Sequence, residues 1–162
     1  MAGFSIRKAT PADADMIARL FIQTRTQCLP YLNWAYDEPF MVSLFASRIA
    51  EHEPFLVAEM AGEIVGFIRF TADEVDDLYV LPTHHGRGIG KALLDVAKEN
   101  AGPELRLWVF QANTQARAFY ASQGFTMEYE TEGQDNMEKC PDARYVWGRP
   151  ISESAEADPC RK

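Results

Sequence analysis

Two spacings alternate along this chain. Apolar residues recurring every three or four positions mark helix faces, and short β-branched or aromatic runs mark strands. Phe4 to Ala9 predicts a first strand, and Thr10-Pro11-Ala12-Asp13 a helix start. Thr10 fits the N-cap, Pro11 the first helical position, and Asp13 closes a capping-box-like turn. Met16, Ile17, Leu20 and Phe21 form the apolar face that follows. Residues 28 to 38 hold Pro30, Tyr31, Leu32, Trp34 and Tyr36, an aromatic connector that packs over the core or walls a pocket. A second helix is predicted over 40 to 51, with Leu44, Phe45 and Ile49 inward.

The middle of the chain switches to strands. Residues 55 to 60 and 64 to 70 flank the turn Ala61-Gly62-Glu63, and so short a connection makes them antiparallel. A further strand covers 75 to 81 and stops at Pro82, which has no N–H to give a ladder. Gly86, Gly88 and Gly90 follow at alternate positions, and Ile89, Leu93, Leu94 and Ala97 then trace a helix face that ends near Gly102-Pro103. The strand at 105 to 110 should run parallel to that at 75 to 81, because a helix connects them. Ala116, Phe119 and Tyr120 mark a short helix ended by Gly124. Two last strands, 125 to 131 and 144 to 149, enclose a polar excursion at 133 to 140. Residues 1–150 read as one domain, and 151–162, which lack an apolar pattern, as a disordered tail.

Composition narrows the class. A chain of 162 residues, 47% hydrophobic and 25% charged, suits one soluble domain. No apolar run is long enough to span a membrane, and no hydrophobic signal core opens the chain, so a cytoplasmic location is expected. Cys28, Cys140 and Cys160 are scattered and odd in number, which fits reduced thiols; nothing argues for a metal site. A net charge of −8 disfavours nucleic acid and suits a cationic amine, although solubility alone would account for it.

The strongest chemistry lies in residues 74 to 94. The layout of strand, glycine-rich turn and helix brings backbone N–H groups close to an anion, and Arg87 and Lys91 add cations at the same mouth. A phosphate-bearing ligand fits. A P-loop would need glycine where His85 stands and a hydroxyl where Ala92 stands; a dinucleotide fingerprint would need glycine at Leu93. Both patterns fail.

The run His85-Gly86-Arg87-Gly88-Ile89-Gly90 instead resembles the acyl-CoA loop of the GNAT superfamily of N-acetyltransferases, Gln/Arg-x-x-Gly-x-Gly/Ala, departing from it at His85. A second block, Asn113 to Phe125, resembles that family's Asn-x-x-Ala-x-x-Phe-Tyr-x-x-x-Gly-Phe at every defined position. The resemblance covers about Phe4 to Pro150. It implies an α/β (α+β) fold: a mixed, mostly antiparallel sheet of six or seven strands flanked by helices, with a splayed parallel pair around the pantetheine arm. It implies acetyl-CoA as cosubstrate and direct attack by an amine.

On the same resemblance, His85, Arg87, Gly88, Ile89, Gly90 and Lys91 hold the pyrophosphate, Asn113 contacts the cofactor, and a backbone donor near Val80 receives the oxyanion. Tyr120 protonates the departing sulfur, its unperturbed pKa of about 10 keeping it a proton donor. Glu74, Asp76 and Asp77 are candidate bases; alternation puts Glu74 and Asp76 on one face and Asp77 on the other, and Asp76 is preferred. The acceptor expected is a small-molecule amine, or an amino acid or peptide, met by the variable segments 28–38 and 133–147. No nucleic-acid or membrane partner is expected, and a homodimer is allowed. The competing reading is a non-catalytic acyl-CoA sensor, which would need neither Tyr120 nor an acidic base.

Overall fold

The computed structural model describes residues 3–32, 37–51 and 54–149. Trp34 and Tyr36 of the aromatic connector and the tail 151–162 lie outside the described residues. In chain order the elements are β1 (Ser5–Lys8), α1 (Ala14–Cys28), α2 (Glu38–Ala50), β2 (Phe55–Met60), β3 (Glu63–Phe70), β4 (Val75–Val80), α3 (Ile89–Glu99), β5 (Glu104–Phe110), α4 (Thr114–Ser122), β6 (Thr126–Thr131) and β7 (Asp142–Gly148).

Local chemistry accounts for most boundaries. Pro11–Asp13 forms a 3₁₀ turn ahead of α1, and the Asp13 carboxylate accepts the Thr10 N–H at 2.8 Å. Arg7 grips the same carboxylate with two nitrogens, at 2.8 and 3.0 Å. Asp37 caps α2 by accepting the Phe40 N–H at 2.7 Å. The β2–β3 hairpin turns on Ala61 and Gly62, both at positive φ (53° and 80°), the signature of a two-residue turn that matches strand twist.

Three expectations need correction. Met16 is 38% exposed; Ala14 and Ala18 complete the buried stripe with Ile17, Leu20 and Phe21. Met41 joins Phe45 and Ile49 in the core, and Leu44 packs against them only half-buried. Helix α3 stops at Glu99, before the glycine. Beside the Asn100 N–H, its last carbonyls are met by the Arg149 side chain, which donates to Lys98 O at 2.8 Å and, just past the helix, to Ala101 O at 2.7 Å. The Gly102 N–H instead bonds Ala72 O. A distant arginine has done the work expected of a local glycine cap.

The strands form two antiparallel sheets, ordered β1-β2-β3-β4 and β5-β7-β6. They touch at one parallel bridge, Glu74 to Arg106, and part beyond it. Parallel and splayed is as expected; the split into two sheets is how the splay is achieved. Helices α1 and α2 cover one face of the first sheet through Phe21, Phe45, Phe55 and Phe67. Helix α3 covers the other through Ile89, Leu93, Leu94 and Ala97, in a core shared with Leu105, Leu107 and Tyr145 of the second sheet. Among the described residues no helix is long and apolar enough to cross a membrane.

Candidate active site

Where β4 and β5 part, a cavity of about 580 Å³ opens, lined among others by Leu78, Tyr79, Trp108, Phe110 and Tyr120. That volume is typical of a small-molecule site. The β4 edge facing it has no ladder partner beyond the bridge. Leu81 N–H bonds Val65 O of β3, so strand alternation turns the Val80 N–H and carbonyl toward the cleft. His85 confirms the direction: its Nε2 lies 2.8 Å from Val80 O as donor, and its Nδ1 lies 3.4 Å from Gln115 Nε2. The ring is therefore turned to the strand end and α4.

The glycine loop is built by backbone shape. Gly86 (φ 79°) and Gly88 (φ 83°) are left-handed, a conformation costly for other residues, and Gly88 is the N-cap of α3. A Cβ on Gly90 would sit 3.4 Å from Phe119 Cζ, so α3 and α4 close on each other there. The first-turn amides of Ile89, Gly90 and Lys91 lack carbonyls within the helix and present an anion site. The side chains divide. Ile89 is buried in the core and offers its backbone alone. Arg87 is exposed and makes no hydrogen bond or ion pair to the described residues. Lys91 is turned down its own helix to Asp95, at 2.7 Å.

Helix α4 brings Asn113 and Tyr120 to the cavity wall. Asn113 caps the helix, its Oδ1 accepting the Ala116 N–H at 3.2 Å. Tyr120 is buried, its ring edge-on to Phe119 and Phe125 at 5.3 and 5.7 Å. Its hydroxyl makes no hydrogen bond to the described residues. Burial, then the nearby Tyr79 and Asp77, raise its pKa well above the phenol range, so it stays protonated. Tyr79 Oη accepts from Arg25 Nε at 2.9 Å; burial outweighs that cation and pushes the phenol up to about 12.

A bulge rearranges the acidic residues of β4. Pairing with β3 jumps from Arg69–Asp77 to Phe70–Val75 and leaves Asp76 as the extra residue. The alternation expected of Asp76 and Asp77 is broken: both carboxylates line the cavity and both reach Arg69, at 3.6 and 2.8 Å. Glu74 stands outside the cavity lining, held by Arg144 Nη2 at 2.9 Å.

A profile of the acetyltransferase (GNAT) family matches residues 17–125. The chain belongs to the GNAT acetyltransferase family. An uncharacterised N-acetyltransferase of Archaeoglobus fulgidus is 33% identical over 135 residues, spanning 73% of this chain and 90% of that protein. The peptidyl-lysine N-acetyltransferase YjaB of Salmonella typhimurium is 40% identical over 131 residues, 81% of this chain and 89% of its own. In structure, the putative acetyltransferase yncA of Salmonella typhimurium, solved with acetyl-CoA, superposes with a TM-score of 0.71 at 20% identity, over 96% of this chain and 99% of that one.

In this acetyltransferase the fold gathers Tyr120, Asn113, Asp76 and the β4 edge at one cavity, with the α3 amides at its neighbour, the glycine loop. It leaves Glu74 aside. Arg25 and Glu138 went unforeseen: they pair at 3.0 Å inside the cavity wall, 113 residues apart. No local pattern announces such a pair. Asp142 was equally invisible; buried, it accepts from the Thr131 hydroxyl and from Asn136 Nδ2.

Proposed function

We propose that this enzyme acetylates a cationic primary amine by direct attack on acetyl-CoA, which supplies the activated thioester. The observation that carries the reading is the buried Tyr120 on the wall of a cavity between two splayed strands, its hydroxyl without a partner among the described residues. The amides of Ile89, Gly90 and Lys91, with Arg87, hold the pyrophosphate at the start of α3, and the cleft between β4 and β5 takes the pantetheine arm. Asn113 flanks that arm. The Val80 N–H on the open strand edge receives the developing oxyanion. Tyr120, kept protonated by burial, gives its proton to the leaving sulfur.

The acceptor ammonium must lose a proton before attack. Asp76 takes it, through water: it lines the cavity as the extra residue of the β4 bulge. Glu74, paired with Arg144 and off the cavity lining, is not given this role. Apart from the Arg25–Glu138 pair, the charged side chains lining the cavity among the described residues are all carboxylates, Asp76, Asp77, Asp135 and Asp142, which favours a cationic acceptor. That chemistry serves small amines and lysine side chains alike. Trp108 and Tyr129, 44% and 52% exposed on the cavity wall, offer an apolar platform suited to a lysine presented by a peptide. A screen of small amines, lysine peptides and acidic amino acids with acetyl-CoA, read as thiol release, tests this. Cationic acceptors should lead, and a preference for acidic amino acids would overturn the acceptor class.

A further inference from the structure

One end of the cavity is bridged by a pair that acetyl transfer does not use. Arg25, in the last turn of α1, meets Glu138, in the loop between β6 and β7, at 3.0 Å, with side chains 12% and 17% exposed. Arg25 also donates to Tyr79 Oη at 2.9 Å. Its guanidinium carbon lies 4.8 Å from the Phe21 ring centre and 5.9 Å from that of Phe110. The arginine is thus held from several sides, and Glu138 comes to it.

The loop that carries Glu138 has a frame of its own. Asn136 Nδ2 donates to Cys140 O at 2.7 Å and to Asp142 at 3.0 Å, while the Cys140 N–H donates to Asn136 Oδ1 at 3.1 Å. Gly133 (φ 84°) lies so close that a Cβ would stand 2.4 Å from the Cys140 backbone. A unit braced in this way moves as one piece, and Glu138 ties it to α1 across the cavity. Taking two charges out of water costs desolvation that an apolar contact would avoid, so the pair is better evidence of a geometry to be held than of stability.

We propose that the Arg25–Glu138 bridge is a specificity-determining latch: it pins loop 133–140 against α1 and so sets the width of the acceptor end of the cavity. Both are positioning residues that act through the loop. The inference rests on the acetyl-transfer reading, and its test separates the two. Backbone hydrogen exchange over 133–140 is compared in the wild type, Glu138→Gln and Arg25→Gln, together with KM for the best cationic amine and for acetyl-CoA. Exchange in the loop should rise and the acceptor KM increase about tenfold, with the acetyl-CoA KM and kcat little changed. Arg25→Lys, which keeps the charge but not the fork that serves two partners, should fall between. Unchanged loop exchange in Glu138→Gln would overturn the latch, as would raised exchange with an unaltered acceptor KM. If the wild type acetylated no amine, the functional reading would fall, and loop exchange would still decide whether the bridge pins the loop.

Discussion

At one end of the cleft, the glycine loop, the first turn of α3 and Tyr120 come from two continuous stretches, 75–94 and 113–125. At the other, Arg25, Glu138 and Asp142 come from three separated positions. The first end works through backbone: amides at a helix start, left-handed glycines, an open strand edge. The second works through side chains that meet because the fold brings them together. A backbone-built site is insensitive to most side-chain changes and depends on conformation. A side-chain-built site can be retuned one residue at a time.

The harshest way to break this contrast is to alter the backbone end. Gly88→Glu forces a side chain into φ 83°, costing about 1–2 kcal/mol of stability, and sets a carboxylate at the anion site. At a hundred times its dissociation constant, acetyl-CoA should stabilise the wild type by about 2.7 kcal/mol; the variant should show no melting shift. A full shift would mean that the loop is not the site.

Tyr120→Phe comes next. Its hydroxyl satisfies no described residue, so the variant should melt like wild type and bind acetyl-CoA alike, while turnover falls by roughly tenfold or more. Full turnover in a stable variant would remove the tyrosine from the mechanism. The two cavity phenols also set an alkaline limit. Their folded pKa values lie above the unfolded value of 10.0, that of Tyr79 at about 12, so the stability they contribute is whole below pH 10 and is lost as pH rises toward 12. Melting curves of Tyr79→Phe should flatten that loss.

A smaller effect sharpens the division among the acidic residues. Asp76→Asn should lower turnover by about tenfold, most strongly at low pH where the amine is fully protonated, and Glu74→Gln should change it by less than about twofold. Equal losses in both would show that the strand's total charge matters rather than one base. The smallest effect expected is that of His85→Arg. With both ring nitrogens of His85 directed to Val80 O and Gln115, acetyl-CoA affinity should change by less than about threefold. A large gain would show that this position reaches the phosphates after all.

The order and kind of the elements were legible because each carries its own signal: the Asp13 turn, the Ala61-Gly62 hairpin, the amphipathic run from Ile89, the glycine at 124 that closes the short helix. Local signals failed where a distant group intervened. Gly102 reads as a helix end, yet Arg149, 47 residues on, takes the carbonyls. Asp76 and Asp77 read as opposite faces until a bulge aims both at Arg69.

The sequence by itself determined the glycine-loop end of this protein: which turn carries the left-handed glycines, which helix follows it, and which tyrosine faces the splay. Backbone conformation is set by neighbours a few residues away, and glycine, proline and cap chemistry record it in the chain. The end closed by Arg25 and Glu138 was decided by tertiary structure alone. The meeting of Arg25 with Glu138 depends on how two sheets part and how a loop of the second folds back over the first, and no spacing along the chain encodes that distance.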